Sequence, residues 1–128
     1  MTARRYPFEY AVLRVVPRVE RGEAINAGVL VYCHRLDYLG SLVHLDHDRL
    51  RALDPSADPE AITSVLRSVA GVCADPAVGP AAGQGLGQRF RWLTAPKSTV
   101  VQPGPVHTGL TTDPAAETER LLRLLVLP

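Results

Sequence analysis

Between Arg89 and Asp113 the chain gathers the side chains best able to do chemistry. Arg89 and Lys97 are cations able to hold a phosphate or carboxylate, Ser98 can bond to such a group or attack it, and His107 can act as acid or base near neutral pH. Each role requires convergence in space. The alternative places Arg89 and Lys97 on the surface, Ser98 in a turn, and His107 against backbone between Pro105 and Gly109. No complete catalytic signature accompanies these four residues, so no catalytic residue is assigned. Trp92 belongs to the core together with Phe90, or, if exposed beside Arg91, suits a protein interface, where such residues concentrate binding energy. A second polar patch, Arg21, Glu23 and Asn26, falls at a hairpin. Arg21 and Glu23 fit a solvated turn, whereas Asn26 shares a strand face with Leu30 and Tyr32, where a buried amide must find hydrogen-bond partners.

Other clusters read as structure. His44, Asp46, His47 and Asp48 are donors suited to zinc or manganese. His44, however, points off a strand, while Asp46 and Asp48 fit the cap and first turn of a helix, so capping is favoured and no metal site is assigned. Cys33 and His34 are adjacent and face opposite sides of a strand. Gly83, Gly85 and Gly87 alternate as in a phosphate-binding loop, but the run follows a helix and leads into Arg89. A flexible connection is expected there, and no cofactor.

The elements that must position these groups follow from pattern. Phe8 to Val16 reads as a central strand, Glu23 to His34 as the second strand of a hairpin, and Tyr38 to Leu45 as a third, with Leu39, Val43 and Leu45 aligned. In the second strand, Ile25, Ala27, Val29, Val31 and Cys33 share one face. Asp46 caps a short helix through Leu53, and Asp58, Pro59 and Glu60 open a longer one whose stripe is Ile62, Val65, Leu66, Val69 and Cys73. The run from Asp75 to Gln88 reads as a loop, and Arg89 to Leu93 and Ser98 to Gln102 as short strands. Asp113 and Pro114 start the last helix, with Thr118, Leu121, Leu122 and Leu125 as its stripe. The predicted fold class is α+β: an antiparallel sheet of about four or five strands, beginning with a three-stranded meander and packed by two main helices.

Composition bounds the rest. A chain of 128 residues, 46% hydrophobic and 21% charged, is the size of a single domain spanning residues 1–128. A net charge of +1 leaves nucleic acid unsupported as a partner. Among the 14 basic residues only Lys97 is a lysine, which reads as the codon bias of a GC-rich genome. The basic start lacks an apolar signal core, and Leu121 to Leu127, broken by Arg123, falls far short of the roughly 20 residues a membrane-spanning helix needs. A cytoplasmic location is expected, with Cys33 and Cys73 reduced and buried. An open antiparallel sheet also leaves an edge through which a homodimer can form.

The phrases from Tyr10 to Pro17, Arg21 to Val29, Arg89 to Leu93 and Val106 to Gly109, in this order, resemble an uncharacterised bacterial family known as domain of unknown function 3037. The likeness spans nearly the whole chain. It implies a small cytoplasmic protein and no catalytic role for any residue. It also implies a partner: members are often encoded beside a HipA-like kinase, which makes this chain a candidate partner or regulator of one. The matching positions to inspect are Arg21, Glu23, Asn26, Gly28, Arg89, Trp92, Ser98, His107 and Gly109. Two readings follow. The first is a non-enzymatic binding module using the surface from Arg89 to Gly109 and the hairpin end near Arg21. The second is a small enzyme or ligand-binding domain acting on a phosphorylated or carboxylated molecule through Arg89, Lys97, Ser98 and His107.

Overall fold

A computed structural model describes residues 4–75 and 85–128. Three strands, β1 (Tyr6–Val15), β2 (Ile25–Cys33) and β3 (Tyr38–Val43), form the antiparallel meander that their alternating patterns predict. Helices α1 (His47–Leu53), α2 (Pro59–Ala74) and α3 (Leu86–Thr94) come next, then β4 (Val101–Pro103), β5 (His107–Thr111) and α4 (Pro114–Leu125). The fold is α+β with a five-stranded sheet in which β4 and β5 pair one after the other along the same side of β1.

Three of the four helices start where an aspartate supplies the acceptor that their first N–H groups lack. Asp46 accepts from the N–H of Asp48 and Arg49, Asp58 from Glu60 and Ala61, and Asp113 from Ala115 and Ala116. The two longer helices cover opposite faces of the sheet. On one face α4 buries Leu121 against Phe8, Val29, Val31 and Cys33. On the other, α2 and α3 bury Val72, Cys73, Phe90 and Leu93 against Leu13 and Leu30, while α1 adds Leu50 beside Ile62 and Leu66. Each such fully buried apolar side chain contributes about 1.5–3 kcal/mol relative to exposure. Cys33 and Cys73 are both free thiols within these layers.

One irregularity redirects the second strand. Leu13 pairs with Gly28 but Arg14 pairs with Asn26, so Ala27 is an extra residue in β2. Such a bulge shifts every later side chain to the other face. Ala27 and Ile25 therefore pack with Val15, Leu50 and Ile62 on the α2 side, away from Val29 and Val31. Asn26 is turned toward α4 and does not share a face with Leu30 and Tyr32, which corrects the simple alternation.

Three further expectations need correction. Arg89 to Leu93 is helix, because Arg89, Phe90 and Leu93 recur at helical spacing and face the core. The predicted loop through Gln88 accordingly ends earlier, since Leu86 already begins α3. Val65, assigned to the apolar stripe of α2, is 47% exposed, and Val72 takes the buried position. The β5 strand was not foreseen, and β4 starts three residues later than the pattern from Ser98 indicates.

Candidate functional site

Arg89, Lys97, Ser98 and His107 do not share a site. Arg89 lies in α3 on the same sheet face as Phe90 and Leu93, with 1% of its surface exposed. Its Nε and Nη2 have no hydrogen-bond acceptor among the described residues. Its charge is felt at Cys73, on the facing helix α2. His107 is on the opposite face: it pairs with Tyr10, and the two rings are 5.2 Å apart. The sheet itself separates the histidine from the arginine.

Ser98 is distant from His107. The carbonyl of Val100 accepts from the N–H of Val16, whereas His107 stands opposite Tyr10 on the same strand line. Six residues of β-strand separate those two points, about 20 Å at roughly 3.3 Å per residue. Ser98 precedes Val100 by two residues and is exposed.

Lys97 serves the end of α3. Its Nζ donates to the carbonyls of Trp92 and Ala95 at 3.1 and 3.4 Å, at the helix end where the Trp92 oxygen also accepts a long bond from the Ala95 N–H. The same ammonium sits over the Trp92 ring, 4.9 Å from its centroid, a cation–π contact. Partial burial holds the Lys97 pKa below the usual lysine range. Trp92 remains 36% exposed, with the lysine against one ring face. Trp92 and Lys97, read separately from the sequence, are thus brought together.

The hairpin patch divides in two. Arg21 and Glu23 form an exposed ion pair across Gly22, whose φ of +70° suits a glycine at the turn. That hydrogen bond, more than the charge attraction, raises the Arg21 pKa and lowers that of Glu23. Asn26 points the other way, donating from Nδ2 to the Leu125 carbonyl at 3.0 Å. It ties β2 to the end of α4.

The remaining clusters are structural in this arrangement. Asp46 is the α1 cap, and the Arg49 N–H it accepts holds its pKa below the carboxylate range. No group of three or more His, Cys, Asp or Glu residues suited to a metal occurs among the described residues. Gly83 lies outside the described residues, but Gly85 is the N-cap of α3, so the glycine run leads into a helix, contrary to expectation. Gly87 lies so close to Tyr32 that a Cβ would stand 2.9 Å from the phenol oxygen. No helix among the described residues is long and apolar enough to cross a membrane.

Sequence reasoning missed a long-range polar contact of α3. Arg91 Nη2 donates to both carboxylate oxygens of Glu9, at 2.8 and 2.7 Å, and so fastens the outer side of α3 to β1. Reading Arg91 as part of a strand hid it.

The sheet, its order and the helices on both faces define an α+β protein whose polar groups are spread over separate surfaces. The family model described as protein of unknown function (DUF3037) matches residues 10–126, and the chain belongs to that family. No curated protein matches, and no solved structure does.

Proposed function

We propose that this protein is a non-enzymatic binding or regulatory module that docks another protein through the surface at the end of α3. The observation that carries this reading is the Trp92–Lys97 pair: a part-exposed indole held in place by a capping ammonium. A tryptophan whose position is fixed before binding loses little conformational freedom on contact, and such residues dominate interface energetics. Val100, 36% exposed, follows three residues after Lys97 and extends the apolar character of this segment. The partner that the family resemblance implies is a HipA-like kinase.

The alternative, a small enzyme or anion-binding domain built on Arg89, Lys97, Ser98 and His107, draws no support from the geometry. Its histidine and Arg89 lie on opposite sheet faces, and Ser98 stands far along the strand from His107.

Co-expression with a HipA-like kinase, the partner that the family resemblance implies, followed by pull-down and size exclusion, tests the proposal. Wild type should co-elute, and Trp92→Ala should lose the complex while keeping its folded circular dichroism. Absence of any complex with wild type, or full retention by Trp92→Ala, would overturn it.

A further inference from the structure

The outer edge of β3 pairs with no strand among the described residues and is set in a trough. The N–H of His44 donates to the carbonyl of Ala27 at 2.8 Å, directly beyond the Gly28 and Val43 pair. In an antiparallel ladder, hydrogen-bonded pairs alternate. Leu42, Gly40 and Tyr38 therefore spend their main-chain groups on β2, and those of Leu39, Ser41 and Val43 point outward. No strand among the described residues pairs with that side.

Natural edge strands are blunted by lysine, proline or a bulge. The segment Tyr38–Val43 has none of these. It is flanked instead by two helices. Ala70, Cys73 and Ala74 of α2 wall the trough on one side, and Ala115, Thr118 and Glu119 of α4 wall it on the other, around about 440 Å³ of mostly apolar space. Thr118 is itself locked, accepting from the Tyr38 hydroxyl at 2.9 Å while donating to the Pro114 carbonyl at 2.7 Å. The wall on that side is rigidly joined to the strand it borders.

We propose that this trough binds an extended, basic peptide segment of a partner protein as an added strand on β3. Unpaired N–H and C=O groups at strand spacing are complementary to extended backbone, and the small alanine side chains allow a main chain to approach. A second copy of this protein fits poorly. It would bring its own pair of flanking helices, which would meet α2 and α4 before the two β3 edges reached the roughly 4.8 Å spacing of paired strands. A two-fold contact needs a self-complementary surface, and a trough facing a trough is not one.

Charge selects among peptides. Glu119 is exposed on the α4 wall with no ion pair or hydrogen bond among the described residues, whereas its neighbour Glu117 is paired with Arg120 at 2.6 Å. A lysine or arginine of the incoming segment would face Glu119, and a small apolar residue would face Cys73. This surface is separate from Trp92, so the proposal stands or falls independently of the docking role given to that residue.

The test uses the whole protein and two fluorescein-labelled hexapeptides, Lys-Val-Lys-Val-Ala-Val and its counterpart with glutamate in place of lysine, with binding read by anisotropy. Two variants probe separate features. Ser41→Pro removes an outward N–H that no strand among the described residues pairs with, a position where an edge strand tolerates proline. Glu119→Lys reverses the wall charge.

Wild type should bind the basic peptide at least tenfold more tightly than the acidic one. Ser41→Pro should weaken that binding tenfold or more, Glu119→Lys should invert the preference, and Trp92→Ala should leave both unchanged. Bound basic peptide should also slow labelling of Cys73 by a thiol reagent. If Ser41→Pro does not fold, the inversion in Glu119→Lys decides. Failure of wild type to bind either peptide, equal binding by wild type and Glu119→Lys, or self-association of wild type that Ser41→Pro abolishes would each overturn the proposal.

Discussion

The side-chain amide of Asn26 donates to the main-chain oxygen of Leu125 at 3.0 Å, joining two residues 99 positions apart in the chain. The contact exists because Ala27 is an extra residue in β2, which turns Asn26 toward α4. It also satisfies one of the last-turn carbonyls that a helix leaves open. Asn26→Ala removes the donor and leaves that oxygen part-buried, at a cost of about 0.5–1.5 kcal/mol. Urea denaturation measures it, and an unchanged midpoint would mean that water replaces the amide fully.

Arg89 carries a buried cation with two donor nitrogens lacking acceptors among the described residues. Burying an unpaired charge is costly, and replacing it with an apolar side chain of similar length removes that cost without leaving a void. Arg89→Met should match or exceed wild type in thermal stability. Arg89→Ala should be the less stable of the two variants by about 2 kcal/mol or more, because it opens a cavity beside Phe90. Equal destabilisation by methionine and alanine would show that the fold depends on the charge itself.

Burial pushes the Cys73 thiol above its ordinary pKa, against smaller opposing pulls from the Ser41 hydroxyl and the Arg89 guanidinium. The folded state thus holds this proton more tightly than the unfolded chain does. Below the unfolded thiol value of about 8.5 both states keep the proton, and the stabilisation is complete. As pH rises beyond it, the unfolded state ionises first, so stability declines until the folded thiol also ionises. The stability difference between wild type and Cys73→Ala should therefore shrink between about pH 8 and pH 10. A difference constant over that range would mean that the thiol titrates normally in the folded protein.

Asp113 caps α4 by accepting from Ala115 and Ala116 N–H at 3.1 and 3.2 Å. Asp113→Ala should destabilise the protein by about 1 kcal/mol, while Asp113→Asn, which keeps an acceptor oxygen, should recover most of it. Since α4 also forms one wall of the β3 trough, hydrogen exchange at its first turn should rise in the alanine variant. A uniform rise across all four helices would indicate global destabilisation and not local fraying.

The meander and three of the four helix starts were legible in the sequence because their signals are local. Alternation along Phe8 to Val16 and Tyr38 to Leu45, and aspartate caps at Asp46, Asp58 and Asp113, depend only on neighbours a few residues away. The solvated Arg21 and Glu23 turn was equally readable. Helix α3 was not, because Gly85 offers no side-chain cap and glycines precede its first turn, so its start carries no local mark. Strand β5 exists through pairing with Tyr6 to Tyr10, a partner about a hundred residues away in the chain. The face of Asn26 depends on a single unpaired residue, which alternation cannot reveal. Whether Arg89, Lys97, Ser98 and His107 converge was likewise a question of tertiary structure. Residue types dictate what each group can do, but a sheet between Arg89 and His107 and about 20 Å of strand between His107 and the segment after Ser98 decide that the four do not form one site.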